Sequence, residues 1–513
     1  MVPRRRRYSD TRANDVDGIY VDAIYLDRVA GGGSCVRRST YELSLLTRRI
    51  DHITRTGSGL AVAVRGRRQV GKSRLVQELC DRSGLPYLYF TAVKGASVTE
   101  ATAQFLADLT ASDLPNDHAL LPSTPPPGGW GDMLRILAGT LPDQPCIVVL
   151  DELPWLAEQD DTFDGQLQVV WDRLLSRRPV LLLLLGSDLH MMQRLTAYDR
   201  PFYGRADNLV LGPLNLAETA AAAGLAGSDA IDAHLITGGL PGILLRWPTG
   251  TSADDYLRDE CADPASPLFA VPEQSLASEF PNPDVSRRVL EAVGGDARAY
   301  ANIANIAGTR GGAVSSGTLS PLLRQLTDDK QVLAADQPLS TSSGKLTLYR
   351  VADTNLRLYL AILRDVYNLT QRGRPDAGFA LFQNRWTSWR GRAVEPLIRS
   401  SLEQATATGG LPWLDAHAVG GWWNRQFNPE IDLVGADRAP VASQIHFCGS
   451  LKWLGTPFDT RDLHELQEGV RSIPGFDPSH TGLIAVTRSG ADLPAGSVDV
   501  VWGPGDVVAA WQP

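Results

Sequence analysis

The chain has 513 residues, of which 43% are hydrophobic and 21% charged, and its formal net charge is −9. This length predicts about three domains, and the composition is that of a globular protein rather than of a coiled coil or a low-complexity chain. The longest apolar run, residues 180–185, is far shorter than the roughly 20 residues that cross a bilayer, so no membrane span is predicted.

The N-terminal segment begins with a basic cluster, residues 4–7, that no apolar stretch follows, so a secretory signal is not predicted. We expect residues 1–37 to form a disordered arm, with nucleic-acid contact as a minor alternative. The five cysteines are far apart and form no CxxC pair, which favours neither a zinc site nor a disulfide framework and indicates the reducing cytoplasm. Because the net charge is negative, binding of nucleic acid would need a local basic face.

The first motif combines a buried-strand pattern at residues 60–64 with GRRQVGKS at residues 66–73 and then a segment with helical spacing. Strand, GxxxxGKS and helix together predict a loop whose backbone N–H groups and helix dipole surround phosphate groups. Lys72 is predicted to contact the β- and γ-phosphates of ATP, and the Ser73 hydroxyl to ligate Mg²⁺. Only five of the 49 basic residues are lysines, which argues against a chance match.

A second buried-strand pattern, residues 146–150, ends in Asp151 and Glu152. After a phosphate-binding loop, this pair predicts a carboxylate that holds Mg²⁺, Asp151, and a base that polarises the attacking water, Glu152. A third apolar run leads to Ser187, which is the candidate sensor of the γ-phosphate. The predicted nucleotide-binding residues are Gly66, Arg67, Arg68, Gln69, Val70, Gly71, Lys72, Ser73, Asp151 and Ser187, with Ser73 and Asp151 as the metal ligands.

Arg205 is the third predicted catalytic residue, beside Glu152 and Lys72. It is a candidate for stabilising charge in the transition state, either in cis or across a subunit boundary, and an ordinary surface arginine is the alternative. The alternation of strand patterns with helical segments predicts an α/β fold with a doubly wound parallel sheet and ATP at its carboxyl edge. The predicted strands are residues 60–64, 86–91, 146–150, 180–185 and 208–211.

The segments GRRQVGKS, IVVLDELPW, LLLLLGSDLHMM, PFYGR and TGGLPGILLRW, in that order, resemble the archaeal-type AAA+ ATPase family, which is close to the STAND group. The resemblance covers residues 38–250 and implies a P-loop ATPase domain that uses ATP and Mg²⁺. Residues 238–241 would lie in its helical lid. Many members continue with a winged-helix segment and a C-terminal domain similar to restriction-type nucleases of the PD-(D/E)xK type, and a homo-oligomer is a further expectation.

The middle of the chain is expected to hold a loosely organised linker, residues 251–283, and a winged-helix-like domain, residues 284–367. Three helical patterns followed by two strand patterns give the order of a winged helix. They span residues 286–293, 300–307, 318–327, 331–335 and 345–351. The third helix offers only Arg324 as a basic contact, so a DNA-binding role and a protein-contact or spacer role both stay open.

The remainder, residues 368–513, resembles the nuclease-like domain, in which an acidic residue on a helix, an Asp on a strand and a Glu-x-Lys on the next strand surround Mg²⁺. Glu395, Asp432 and Lys452 fit this pattern, whereas Ser450 stands in the place of the glutamate. Since a neutral hydroxyl binds Mg²⁺ only weakly, we expect a degenerate domain that does not cleave DNA. Glu430 precedes Asp432 by two residues on the same strand face and is the alternative ligand.

Three further expectations concern this last region. The strands are predicted at residues 430–434 and 441–447. Lys452 is expected to hold an attacking water or to stabilise charge, and a pair with Asp432 is the alternative. Trp422 and Trp423 are expected to pack in the core rather than to stack on bases.

Three functions are compatible with these sequence features. The leading hypothesis is an ATP-driven molecular switch that controls the winged-helix and C-terminal domains. The alternatives are an ATP-dependent DNA-processing nuclease and a module that holds nucleotide without turnover. The Asp151–Glu152 pair argues against the last alternative, and Ser450 argues against the nuclease.

Overall fold

The computed structural model describes residues 36–114, 121–187, 191–192, 198, 200–280, 284–309, 312–344 and 346–512. Most of the expected N-terminal arm, residues 1–35, lies outside the described residues. Residues 36 and 37, its last two, belong to the first helix instead. None of the described helices is both long and apolar enough to span a membrane.

The first region is built on five strands, β1 (Leu60–Arg65), β2 (Tyr87–Thr91), β3 (Cys146–Asp151), β4 (Val180–Gly186) and β5 (Ala206–Val210). They form one sheet in the order β2-β3-β4-β1-β5, and every neighbouring pair is parallel. Each strand lies within two residues of its predicted position, so the predicted parallel sheet is confirmed. The continuous apolar runs in β3 and β4 are buried along their whole length, as expected for central parallel strands.

Helices cover both faces of this sheet. Side chains of α1 (Val36–Thr56) and α2 (Lys72–Ser83) pack on one face, and those of α3 (Val98–Ala111), α4 (Gly129–Thr140) and α6 (Phe163–Arg173) pack on the other. The short α5 (Leu153–Gln159) directly follows β3. Since a parallel connection has to cross a face, this alternation gives the doubly wound arrangement.

A three-helix segment follows β5 and consists of α7 (Leu216–Ala223), α8 (Gly227–Thr237) and α9 (Pro241–Leu244). Two glycines join α8 to α9, and both have positive φ, 63° at Gly238 and 68° at Gly239. A Cβ on Gly239 would lie 2.2 Å from the Leu214 carbonyl oxygen, and one on Gly238 would lie 3.0 Å from the Asn355 backbone nitrogen. The segment therefore passes in very close contact between the sheet region and the middle of the chain.

The stretch predicted as a loosely organised linker holds two helices, α10 (Ala253–Ala262) and α11 (Pro267–Glu279). The prediction that this stretch is loosely organised is therefore wrong. Ser252 caps the first helix by accepting a hydrogen bond from the Asp255 backbone N–H, and Ser266 caps the second in the same way from Leu268. Such caps satisfy backbone donors that short helices leave free, and apolar residues of both helices are buried. The prolines between and within these helices hid their periodicity in the sequence.

The middle region, residues 251–367, continues with α12 (Val285–Gly294), α13 (Tyr300–Ile306) and α14 (Ser316–Arg324). An antiparallel pair follows, β6 (Leu333–Asp336) with β7 (Leu348–Val351), and then α15 (Thr354–Leu358). The three helices and the hairpin occur in the predicted order. Their identification as a winged helix stays a prediction.

Helix α16 (Arg364–Gln371) crosses the end of the middle region, and the C-terminal region continues with α17 (Pro375–Ala393) and α18 (Glu395–Thr408). Its sheet has the order β12-β11-β10-β9-β8, antiparallel from β8 to β10 and parallel from β10 to β12. The strands are β8 (Ala418–Trp423), β9 (Glu430–Ala436), β10 (Ile445–Lys452), β11 (Gly482–Thr487) and β12 (Val500–Trp502), with α19 (Thr460–Val470) and α20 (Pro504–Ala509) packed beside them. Trp422 and Trp423 are buried, which confirms their packing role.

The strand predicted at residues 441–447 is displaced, because β10 begins only at Ile445 and extends to Lys452. The Asp437 carboxylate accepts hydrogen bonds from the backbone N–H groups of Ser443 and Gln444, which holds the preceding residues in a turn. Ser450 and Lys452 therefore lie on the strand itself, on the same face and two residues apart.

One continuous cluster of buried side chains runs through all three regions. Within it, a charged contact joins the three-helix segment to the C-terminal region. The buried carboxylate of Asp232 on α8 lies 2.9 Å from the Arg390 guanidinium of α17 and 3.0 Å from that of Arg488, which follows β11. A single acidic side chain thus holds two arginines from separate parts of the chain.

Candidate functional site

The loop of residues 66–71 leaves the carboxyl end of β1 and winds tightly before α2 begins at Lys72. Gly66 has no room for a side chain, since a Cβ there would lie 2.2 Å from the Leu211 carbonyl oxygen. Gln69 and Gly71 have φ values of 64° and 91°, in the left-handed region. The GxxxxGKS motif therefore adopts the wound backbone that the sequence predicts, with the amino end of a helix directly behind it.

Lys72 is only 5% exposed, and its ammonium group is held inside the loop. Nζ donates to the carbonyl oxygens of Gly66, at 2.7 Å, and Arg67, at 2.9 Å. Burial lowers the pKa of Lys72 to about 8, and the carboxylates of Glu152 and Asp151 oppose this shift by favouring the charged form. Two predicted acidic partners are therefore close enough to act on the lysine electrostatically.

Asp151 ends β3 beside the loop and is fixed by three hydrogen bonds. Its Oδ2 accepts from the Ser73 hydroxyl at 2.8 Å and from the Tyr89 hydroxyl at 2.7 Å, and its Oδ1 accepts from the Glu152 backbone N–H at 2.8 Å. The two residues predicted to hold Mg²⁺ are thus in direct contact. A carboxylate is a ligand that Mg²⁺ takes in proteins, and beside a phosphate-binding loop the phosphates of a nucleotide add to the weak ligand that a hydroxyl makes alone.

Glu152 adopts the left-handed backbone conformation, with φ 52° and ψ 42°. For a residue other than glycine this conformation costs of order 1–3 kcal/mol. Oε1 of Glu152 accepts a hydrogen bond of 2.8 Å from the Ser187 hydroxyl at the end of β4. The structure thereby brings Lys72 and Ser73 together with the residues predicted at the ends of β3 and β4, which are Asp151, Glu152 and Ser187.

Arg205 is the predicted residue that does not join this group. The residue after it, Ala206, pairs with Ala61 at the start of β1, whereas the phosphate-binding loop begins only after Arg65. Arg205 therefore lies at the amino edge of the parallel sheet, and its guanidinium is held by Asp172 at 2.8 and 2.9 Å. Because this edge is opposite to the one that carries the phosphate-binding loop, the arrangement does not support a role in cis. The sequence alone does not reveal which edge of the sheet a residue between strands occupies. A role across a subunit boundary stays a prediction.

The outer part of the loop contacts the middle region. Arg67 donates from Nη2 to the Gln331 carbonyl oxygen at 2.7 Å, and its Nη1 lies 3.5 Å from the Asp353 carboxylate. Gln69 donates to the Gln274 side chain of α11 at 3.3 Å. Arg67 and Arg68 line a narrow cavity beside apolar residues of the middle region. The Val70 side chain of the loop is buried. The predicted phosphate-binding residues are therefore also a point of contact between two regions.

The second predicted site, in the C-terminal region, is an open cleft between β9, β10 and α19 that Glu430, Asp432 and Ser450 line. Oδ2 of Asp432 accepts from the Ser450 hydroxyl at 3.1 Å and from the Leu451 backbone N–H at 2.8 Å, and burial raises the Asp432 pKa. Lys452 forms an ion pair with Asp462 of α19 rather than with Asp432, so the predicted pairing is wrong. Asp462 is also part of the capping box of α19. That local role is visible in the sequence, but the contact of Asp462 with Lys452 is not.

The two glutamates of this predicted site are paired with arginines. Glu395 lies 3.5 Å from Arg399, and Glu430 lies 4.0 Å from Arg298. Across the part of the chain that the structure describes, no three His, Cys, Asp or Glu side chains are grouped so that they can hold a metal ion. That the domain is degenerate stays a prediction.

Comparison with known proteins gives only distant likenesses. No protein-family model matches the chain, and no curated protein matches it. Among solved structures, the Walker-type ATPase PABY2304 of Pyrococcus abyssi is 16% identical over 61% of this chain and 93% of that chain, with a TM-score of 0.40. The Aeropyrum pernix ORC2 protein in its ADPNP–ADP complexes is 15% identical over 65% and 93%, with a TM-score of 0.41, and Cdc6p from Pyrobaculum aerophilum is 14% identical over 69% and 98%, with a TM-score of 0.34. Because these values are low, the likenesses carry no conclusion about the function of this chain.

Proposed function

We propose that this chain is a Mg²⁺-dependent ATP hydrolase of AAA+/STAND type that acts as a nucleotide-controlled switch. The observation that carries the proposal is the grouping of Lys72, Ser73, Asp151 and Glu152 at the carboxyl edge of a parallel sheet. A buried lysine, a hydroxyl bonded to a carboxylate and a second, adjacent carboxylate are the parts that phosphoryl transfer to water needs.

Each group has a distinct task in this proposal. The loop N–H groups and Lys72 bind the phosphates, while Ser73 and Asp151 would hold Mg²⁺. The metal ion, when bound, neutralises charge on the phosphate oxygens. Glu152 takes the proton of the attacking water, and Ser187 fixes the carboxylate of Glu152 through its hydroxyl.

ATP binding tests the first part of the proposal. We expect Lys72→Ala to lower the affinity for ATP about 10- to 100-fold, because a charge-assisted contact with the phosphates is lost. Isothermal titration calorimetry measures this directly. Lys94→Ala is the matched control, since Lys94 lies over the Trp155 ring and is not part of the loop. Equal affinities of Lys72→Ala and wild type would remove the phosphate-site assignment.

The lowered pKa of Lys72, about 8 in the free protein, predicts a pH effect on ATP binding. Below this pH the ammonium is already charged, whereas above it the amine is largely neutral and phosphate binding has to return a proton. We therefore expect proton uptake near pH 8.5 and an ATP affinity that falls, by up to about tenfold per pH unit, as pH rises further. Calorimetry in buffers of different ionisation enthalpy measures the uptake. Lys72→Arg keeps its charge and should show none, and absence of uptake in the wild type would contradict the prediction.

The switch part of the proposal is supported by the contacts of Arg67 and Gln69 with the middle region. A ligand that changes the conformation of this loop also changes its contacts with Gln331 and Asp353. If bound phosphate draws Arg67 away from Asp353, nucleotide binding weakens one contact that holds the middle region in place. Binding energy is thereby coupled to the arrangement of the two regions.

Asp353→Asn tests this coupling. The amide oxygen keeps the cap of α15, where Asp353 accepts from the Leu356 backbone N–H, but the ion pair with Arg67 is lost. We expect ATP affinity to rise about two- to fivefold, because ATP no longer competes with a partly exposed salt bridge. Hydrogen exchange of residues 330–356 should also respond less to ATP than in the wild type.

Asp336→Asn is the control for this prediction, because Asp336 pairs with Arg350 and does not touch the loop. An exchange response to ATP that is the same in both variants and in the wild type would argue against Arg67 as the link. The proposal includes DNA, bound by the middle and C-terminal regions, and a second copy of this chain as partners of the switch. A nuclease function is not proposed, since Ser450 bonds to Asp432 and Lys452 pairs with Asp462.

A further inference from the structure

Tyr89 contacts the proposed metal site, although no motif marks it. It lies on β2, opposite Val149 of β3, and its hydroxyl donates to Asp151 Oδ2 at 2.7 Å. A carboxylate oxygen accepts and a phenol O–H donates, so Tyr89 is the donor in this contact.

The hydrogen bonds of Asp151 explain why this donor matters. Tyr89 approaches from β2, Ser73 from α2, and the Glu152 backbone N–H from the end of β3 itself. Each of the first two reaches the same oxygen, Oδ2, so removal of Tyr89 leaves that oxygen held by Ser73 alone. Ser73 is itself a proposed Mg²⁺ ligand, so Tyr89 is the side-chain donor to Asp151 that has no such second task. Ligating carboxylates generally need such a partner to keep their orientation.

We propose that Tyr89 is a positioning residue that orients the Asp151 carboxylate for Mg²⁺. This inference rests on the proposed ATPase function and goes beyond it, because it assigns a role in the metal site to a residue outside both nucleotide motifs. The alternative is that Tyr89 only packs, since its ring lies against the core together with that of Tyr87.

Tyr89→Phe separates the two roles, because it keeps the ring and removes only the hydroxyl. The quantity to measure is the gain in ATP affinity that saturating Mg²⁺ gives over EDTA, by calorimetry with a non-hydrolysable ATP analogue. We expect this gain to fall about tenfold in Tyr89→Phe, the usual effect of losing a hydrogen bond to a charged group. Affinity in EDTA should stay within about twofold of the wild type, because the phosphate contacts do not involve Tyr89.

Tyr87→Phe is the matched control. Tyr87 lies on the same strand and packs against the same core, but its hydroxyl accepts from Gln77 at 3.3 Å and does not contact Asp151. Equal Mg²⁺ gains in the two variants would overturn the inference while leaving the ATPase proposal intact. A Tyr89→Phe variant that loses ATP affinity in EDTA would also overturn it, since the damage would not be specific to the metal. A wild-type protein without any Mg²⁺ gain would overturn the proposed function and the inference together.

Discussion

Replacement of Glu152 by glutamine is expected to lower the rate of ATP hydrolysis about 100- to 10,000-fold while ATP stays bound. Glutamine has the size of glutamate and can still accept the hydrogen bond from Ser187, but its amide cannot take a proton from water. Single-turnover hydrolysis measures the chemical step, and filter binding of labelled ATP measures occupancy. The variant should therefore accumulate the ATP-bound state.

Glu158→Gln is the control for this experiment, because Glu158 is an exposed glutamate of the short helix that follows Glu152. It should hydrolyse ATP at the wild-type rate. An unchanged rate in Glu152→Gln would show that another group activates the water. The left-handed backbone of Glu152 would then need a different explanation.

Replacement of Asp232 by alanine is expected to destabilise the protein by about 3–5 kcal/mol. Two guanidinium groups, those of Arg390 and Arg488, lose their shared carboxylate inside a contact between α8 and the C-terminal region. Arg390 and Asp232 are both buried, so water does not replace the lost partner fully. Urea unfolding followed by circular dichroism measures the change in the free energy of unfolding.

Asp229→Ala is the matched control for Asp232→Ala, since Asp229 lies on the same helix but is exposed. It removes an acidic residue from the first helical turn and is expected to cost no more than about 1 kcal/mol. A loss of stability in Asp232→Ala that is no larger than that of Asp229→Ala would mean that the two arginines find other partners.

The nucleotide site was largely predictable because its signals are local. The glycines, Lys72 and Ser73 lie within eight consecutive residues, and Asp151 with Glu152 directly follows an apolar run. Both motifs depend on strand ends, and a parallel sheet brings all its carboxyl ends to one edge. The position of Ser187 was predictable for the same reason, because it follows the carboxyl end of β4.

Contacts between distant residues were not predictable from the sequence. Tyr89 reaches Asp151 only because β2 pairs with β3, and the order of strands in a sheet is not encoded in any single segment. The position of Arg205 at the amino edge was not predictable for the same reason, since it depends on the pairing of β5 with β1. The ion pairs of Asp232 with Arg390 and Arg488 span 158 and 256 residues of sequence.

Close packing at Gly238 and Gly239 has a mechanical consequence for the protein. A Cβ at Gly239 would clash with the Leu214 carbonyl oxygen at 2.2 Å, and one at Gly238 would lie 3.0 Å from the Asn355 backbone nitrogen. The Asn355 side-chain amide also donates to the Ile236 carbonyl oxygen at 2.9 Å. Because backbone atoms make these contacts, no flexible side chain lies between the elements to absorb a displacement. We therefore expect a displacement of α8 to move α15 with it as a rigid body. Motion of the three-helix segment would then be transmitted directly to the middle region.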